Sequence, residues 1–222
     1  MVFTRASQEK HAFTLIEMLV AITVIGVLAL LCLQAGRKVF EKHKEVTCLS
    51  QLSKVYTALR LYSLDNNNYY PRSYFTTPSW GNWFTDTPLS QYAGEKSSWE
   101  KMVICPAGRT AAVVPATTLK GFPYTVNYNI LRATAPSGGP EYGQINAATL
   151  PYASQLVLML DAKPLSGQWG IGFNSTSSGW SRANANHQKH ANVLWADGHV
   201  TSTQLANLTD EHIVPGSPRS SN

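Results

Sequence analysis

At 222 residues, 44% of them hydrophobic, and a formal net charge of +5, the chain has room for one modest folded head beyond any terminal segment. Its charge surplus is small and spread out, with no long run of one sign, which argues weakly for an acidic surface partner and hardly at all for nucleic acid. No nucleic acid is expected among its partners.

The first stretch, residues 1–12, is short and polar; Arg5, Lys10 and His11 stand against Glu9, and it ends in the small residue Ala12. A 21-residue apolar run follows from Phe13 to Leu33, broken by one charge, Glu17. As a helix rising about 1.5 Å per residue it spans roughly 30 Å, the hydrocarbon thickness of a bilayer. A carboxylate in such a run costs on the order of 2.5–3.5 kcal/mol at the bilayer centre, so Glu17 asks for a partner. An ordinary secretory signal places its small-residue cleavage site after the apolar stretch, whereas Ala12 stands before it. Cleavage at Ala12/Phe13 therefore keeps the hydrophobic helix on the mature protein. It also removes Arg5, Lys10 and Glu9, leaving 16 basic and 12 acidic side chains, a net of +4.

Two basic residues, Arg5 and Lys10, precede the span, while Arg37, Lys38, Lys42 and Lys44 follow it. That count alone places the N-terminus outside, but a long polar domain translocates largely regardless of local charge. Beyond the span, Val39, Val46, Leu49, Leu52, Tyr56 and Leu59 recur at helical steps, with Lys42, Glu45, Lys54 and Arg60 on other faces. This spacing predicts one helix from Phe13 to Asp65, about 80 Å long at standard rise. Gly26 and Gly36 are its weak points and predict bending or local melting. Asn66, Asn67 and Asn68, with Pro71 behind them, end it.

Residues 69–154 read as loops with short strands, being rich in Pro, Gly, Thr, Asn and aromatics. Three later pieces read as strands: 155–160, 192–196 and 199–203. The last two are separated by Asp197-Gly198, which suits a two-residue type I′ hairpin turn. The residues after Leu208 read as a flexible tail. The expected fold class is α+β, a long amphipathic helix laid over a small antiparallel sheet.

Phe13-Thr14-Leu15-Ile16-Glu17 resembles, residue for residue, the start of type IV pilins and type II secretion pseudopilins. The resemblance implies a prepilin leader cut by a prepilin peptidase at Ala12/Phe13 and methylation of the freed Phe13 amine. It also implies that Glu17 pairs with the Phe13 amine of a neighbouring subunit in a filament. Leaders of that family usually end in Gly, where this chain has Ala12. Physics agrees with the pairing, because a carboxylate and an ammonium that meet in low dielectric offset each other's burial cost. The bland alternative is a plain signal anchor with Glu17 at the headgroup level. His187, nine residues and then Asp197-Gly198 resemble the H-x9-DG signature of a pilin-like family, with Cys48, Tyr69-Tyr70-Pro71 and Cys105-Pro106 in that family's order.

Other chemistry is thinly signalled. Some pseudopilin heads hold calcium, and Asp161 and Asp197 offer hard oxygen ligands for it; zinc would draw on His187, His190 and His199, which no fixed motif joins. The competing reading is structural: Asp197 makes the turn, and His187 bonds loop backbone near it. No cofactor is expected apart from that calcium candidate. No G-x-S-x-G, H-E-x-x-H or phosphate-cradling glycine loop is present in the sequence, so an enzyme is not expected. Trp80, Trp83, Trp99 and Trp180 fall in loop-like sequence and offer either a stacking platform for sugar or base, or loop packing. Cys32 lies in the membrane run, while Cys48 and Cys105 fall on the extracytoplasmic side, where a disulfide between them can persist.

The resulting organisation is a leader (1–12), a membrane-spanning and assembly half-helix (13–35), a pilin-like head (36–208) and a flexible tail (209–222). The expected function is a structural subunit of a type II secretion or type IV pilus-like filament. It is held in the bacterial inner membrane by a single pass with its head in the periplasm, and its partners are the prepilin peptidase and other pilin or pseudopilin subunits. The alternative is a membrane-anchored glycan- or ion-binding protein that does not polymerise.

Overall fold

The computed structural model describes residues 14–71, 88–94, 96–103, 105–107, 124–127, 129–131, 145–162, 172–173, 183–185, 187–213 and 215. Helix α1 runs from Leu15 to Asp65, without interruption at Gly26 or Gly36. Two compact units divide the chain, Met1–Phe40 and Glu41–Asn222, and α1 contributes to both. In the first, every described side chain from Thr14 to Leu33 is exposed, thirteen of them large and apolar.

In the second unit α1 buries Cys48, Leu52, Val55, Ala58 and Leu59, a stripe at steps of three and four. Of the residues expected to recur on one face, Leu52 and Leu59 are buried, whereas Val39 and Val46 are exposed and Cys48 and Val55 take inward positions. The helix stops where the asparagines begin. Asn67 and Asn68 adopt positive φ (53° and 63°), and the Asn68 N–H returns to the Ser63 carbonyl at 2.7 Å. Asn tolerates the left-handed region better than most residues, so the run closes the last turn at modest cost.

The head sheet contains β1 (Tyr124–Asn127), β2 (Val157–Asp161), β3 (Gly172–Phe173), β4 (Ala191–Trp195) and β5 (Val200–Thr203) in the order β3-β1-β2-β4-β5. Four strands pair antiparallel; the two-residue β3 joins the edge at β1 in parallel. A register shift between Val157 and Met159 lets β2 send the successive residues Leu158 and Met159 to the same side, towards α1. Val157, Leu160, Val193 and Trp195 face the other way, onto Leu208 and Ile213. Both faces of the central strands are thus covered, which explains why β2 and β4 read as continuous apolar runs rather than alternations. A second helix, α2 (Lys96–Met102), buries Trp99 in the same core as α1.

Two expectations are corrected here. The turn between β4 and β5 is not a two-residue type I′ turn, because only Gly198 has positive φ (100°). Trp195 donates its N–H to the His199 carbonyl, and its own carbonyl accepts the Gly198 N–H, both at 3.0 Å. That makes a three-residue loop, Ala196-Asp197-Gly198, ending in a left-handed glycine. The tail after Leu208 is not wholly free: Asp210–His212 form a 3₁₀ turn and Ile213 is fully buried. Asn127, itself buried, donates from Nδ2 to the carbonyls of Val157 and Ile213, each at 2.8 Å, and so pins the tail to the sheet.

Candidate functional site

The first candidate lies at the start of α1. Thr14 is the residue before the helix and Glu17 its third residue. Glu17 Oε2 accepts from the Thr14 N–H at 2.8 Å and from Thr14 Oγ1 at 2.9 Å, while the Glu17 N–H reaches Thr14 Oγ1 at 3.3 Å. These reciprocal bonds are a capping box, and Thr14-x-x-Glu17 is its sequence signature. Within one chain Glu17 therefore stabilises the helix start, where a negative charge also suits the helix dipole. The Thr14-x-x-Glu17 spacing carries this role in the sequence itself, beside the apolar context that points to burial. Phe13 and Ala12, the expected cleavage pair, lie outside the described residues.

Apart from Glu17 and Thr23, the helix from Leu15 to Leu33 is apolar and long enough to cross a membrane, with none of that stretch buried. An uncovered apolar surface of this extent fits membrane anchoring.

The second candidate is in the head. A disulfide joins Cys48 of α1 to Cys105, with 57 residues of separation and a Cα–Cα distance of 5.2 Å. It ties the segment after α2 to the helix. His187 is buried against it, with Nε2 3.4 Å from Cys105 Sγ and 3.5 Å from Asp161 Oδ2. Asp161, fully buried at the end of β2, also accepts the Asn192 N–H at Oδ2, 2.7 Å away. Burial pushes the Asp161 carboxyl well above the usual carboxylate range and the His187 imidazole below the usual histidine range. Both groups thus favour their neutral forms. No catalytic relay exists here, since Cys105 and Asp161 meet the imidazole through one and the same nitrogen, whereas a nucleophile and its orienting acid need opposite ones.

His187 reaches this position through a tight turn. His187 and His190 exchange backbone hydrogen bonds (3.1 and 2.9 Å), and the two central residues, Gln188 and Lys189, have φ of 49° and 71°. Positive φ at both is the type I′ pattern, expected at Asp197-Gly198 but found here. Gln and Lys carry no preference for it, so composition gave no sign.

The remaining residues of the H-x9-DG element have structural places. Asp197 Oδ1 accepts from the His199 N–H at 3.1 Å and meets His199 Nδ1 at 2.6 Å. Gly198 lies directly against the Tyr56 ring of α1, where any Cβ would collide. Tyr70 donates its hydroxyl to the Ala196 carbonyl at 3.1 Å, so the YYP segment grips the same loop.

Asp161 and Asp197, the calcium candidates, are not brought into one ligand group among the described residues. His190 and His199 are likewise absent from the one such group found there, which is Cys48, Cys105 and His187. Trp99 is buried in the core and offers no stacking platform; Trp80, Trp83 and Trp180 lie outside the described residues.

The family model for the prokaryotic N-terminal methylation motif matches residues 8–33, from the end of the polar leader to the end of the apolar run. That match supports a protein of the type IV pilin-like or pseudopilin class, and it implies processing by prepilin peptidase and assembly with other pilins. It does not extend to the head or to His187, Asp197 and Gly198. No curated protein and no solved structure matches the chain.

Proposed function

We propose that this chain is a non-enzymatic structural subunit of a type II secretion or type IV pilus-like filament. Prepilin peptidase cuts between Ala12 and Phe13 and methylates the new amine, and the half-helix from Phe13 holds the subunit in the inner membrane until assembly. In the filament, Glu17 turns from its own Thr14 to the Phe13 amine of a neighbour. The observation that carries this reading is the methylation motif over residues 8–33, set on a helix whose stretch from Leu15 to Leu33 is exposed throughout. The Cys48–Cys105 disulfide supports a head in an oxidising compartment such as the periplasm.

The capping box favours a second reading, in which Glu17 only starts the helix of a non-polymerising anchor. Glu17→Gln separates the two. Glutamine serves at the third position of a capping box as glutamate does, so the helix start survives. The ion pair does not survive: a buried amine left without its partner costs about 3–5 kcal/mol, roughly a hundredfold to a few thousandfold per subunit contact. A filament subunit carrying Glu17→Gln is expected to insert in membranes at normal levels and fail to enter filaments. Normal incorporation of the variant would reject the assembly role of Glu17.

A further inference from the structure

Three side chains with metal-ligating atoms, drawn from three separate segments, converge at one buried point, Cys48 of α1, Cys105 after α2 and His187 of the 187–190 turn, and Asp161 of β2 borders them through its contact with His187. The two sulfurs and a ring nitrogen of His187 all lie within 4.8 Å of one another. A tetrahedral site with metal–sulfur bonds of about 2.3 Å and metal–nitrogen or metal–oxygen bonds of about 2.0–2.1 Å has edges of roughly 3.3–3.8 Å. The Cys105–His187 distance of 3.4 Å and the His187–Asp161 distance of 3.5 Å are already of that length. The sulfur pair is closer than such an edge because it is covalently joined, and Asp161 reaches the group through His187 alone, so its carboxylate must swing inwards to become a fourth ligand.

A second observation points the same way. Among the described residues, Asp161 Oδ1, His187 Nδ1 and both polar side-chain atoms of Asn192 are buried without a hydrogen-bond partner. A fold that needed only the disulfide here would gain nothing from sealing an acid and an imidazole beside it, since buried polar groups without partners are destabilising. A cation at His187 Nε2 and Asp161 Oδ2 does not partner those outer atoms, but it offsets the burial of the acid by giving it a counter-charge. It takes the carboxylate and the imidazole as ligands, and the outer atoms of both ligands are left to form the supporting shell that such sites use.

We propose that the dithiol form of this chain binds a thiophilic divalent cation of the zinc type through Cys48, Cys105, His187 and Asp161, so that metal and disulfide are alternative closures of the same loop. On binding, the two thiols and the Asp161 carboxyl each release a proton to solvent and His187 donates its Nε2 lone pair; no electron moves. In the reverse direction a thiol–disulfide oxidoreductase in its disulfide form accepts two electrons from the thiolates. The sulfur–sulfur bond forms and the cation leaves. The chain thus has a metal-held state before oxidation and a disulfide-held state after it.

The test uses the full chain in detergent, reduced with a phosphine and then passed through gel filtration with zinc or cobalt(II). The reduced protein is expected to retain about one metal per chain, with sulfur-to-cobalt charge-transfer absorption, and the oxidised protein at least about tenfold less. His187→Ala and Asp161→Asn keep both cysteines and are each expected to lower zinc affinity by about 10–100-fold. Both variants are compared in the oxidised form first, where the disulfide holds the fold, so a folding defect is read apart from a binding defect. Reduced wild type that keeps its folded circular dichroism yet retains no metal would overturn the proposal. So would cobalt without thiolate absorption, or zinc uptake indifferent to both His187→Ala and Asp161→Asn.

Discussion

Alanine at position 198 is expected to destabilise the head by two separable routes. Gly198 has φ of 100°, where an L side chain strains the backbone by about 1–2 kcal/mol. The new Cβ also meets the ring of Tyr56, and overpacking of this kind costs about 1–3 kcal/mol. Together the routes give about 2–5 kcal/mol, or roughly 4–20 °C in Tm for a domain of this size. Because Tyr56 reaches the loop from α1, removing its ring should relieve the second route and leave the first. Urea unfolding of the full chain, followed by tryptophan fluorescence, gives the four stabilities of the Tyr56→Ala and Gly198→Ala cycle. Buried Trp99 and Trp195 supply the signal. The double variant is expected to be about 1–3 kcal/mol more stable than the sum of the single losses. Additivity within about 0.5 kcal/mol would mean that the ring and the glycine do not compete for space, and the account of the Asp197-Gly198 element would be wrong.

Cys48→Ser with Cys105→Ser, assayed under metal chelation, opens a loop with 57 residues of separation; the chain-entropy model gives a loss of about 4 kcal/mol, and a melt with no drop in Tm would contradict it. Lys189→Gly relaxes a non-glycine residue at φ of 71° on an exposed turn and is expected to raise stability by about 0.5–1.5 kcal/mol in the same urea assay; a loss would show that the turn is unstrained. Glu17→Gln should leave helix content and membrane insertion unchanged by circular dichroism and fractionation while abolishing incorporation into filaments, and a variant that assembles normally would contradict the ion pair.

Local patterns were readable and distant convergences were not. The apolar run from Phe13, the asparagine stop after Asp65 and the strands around Asp197-Gly198 each depend on neighbours a few residues apart, where period and turn chemistry speak directly. Periodicity does not single out Cys48 in the buried stripe of α1, because Cys48 is held inside by a bond to a residue 57 positions away while Val46 is exposed. Ile213 lay in a polar, proline-bounded stretch that reads as tail, and its anchor is Asn127, a strand residue 86 positions earlier. The Cys48, Cys105, Asp161 and His187 cluster has no spacing signature, since its members come from four segments joined only by the folded sheet. The type I′ turn at Gln188-Lys189 went unseen for a different reason: tertiary packing of His187 imposes it on residues with no turn preference.

The proposed function requires that the apolar helix survive maturation behind a methylated Phe13 amine. Intact-mass and N-terminal analysis of the protein taken from cell membranes tests it most directly. The account predicts a chain beginning at N-methylated Phe13 and retaining everything through Leu33. A chain that still begins at Met1, or one cut after Leu33, would contradict it.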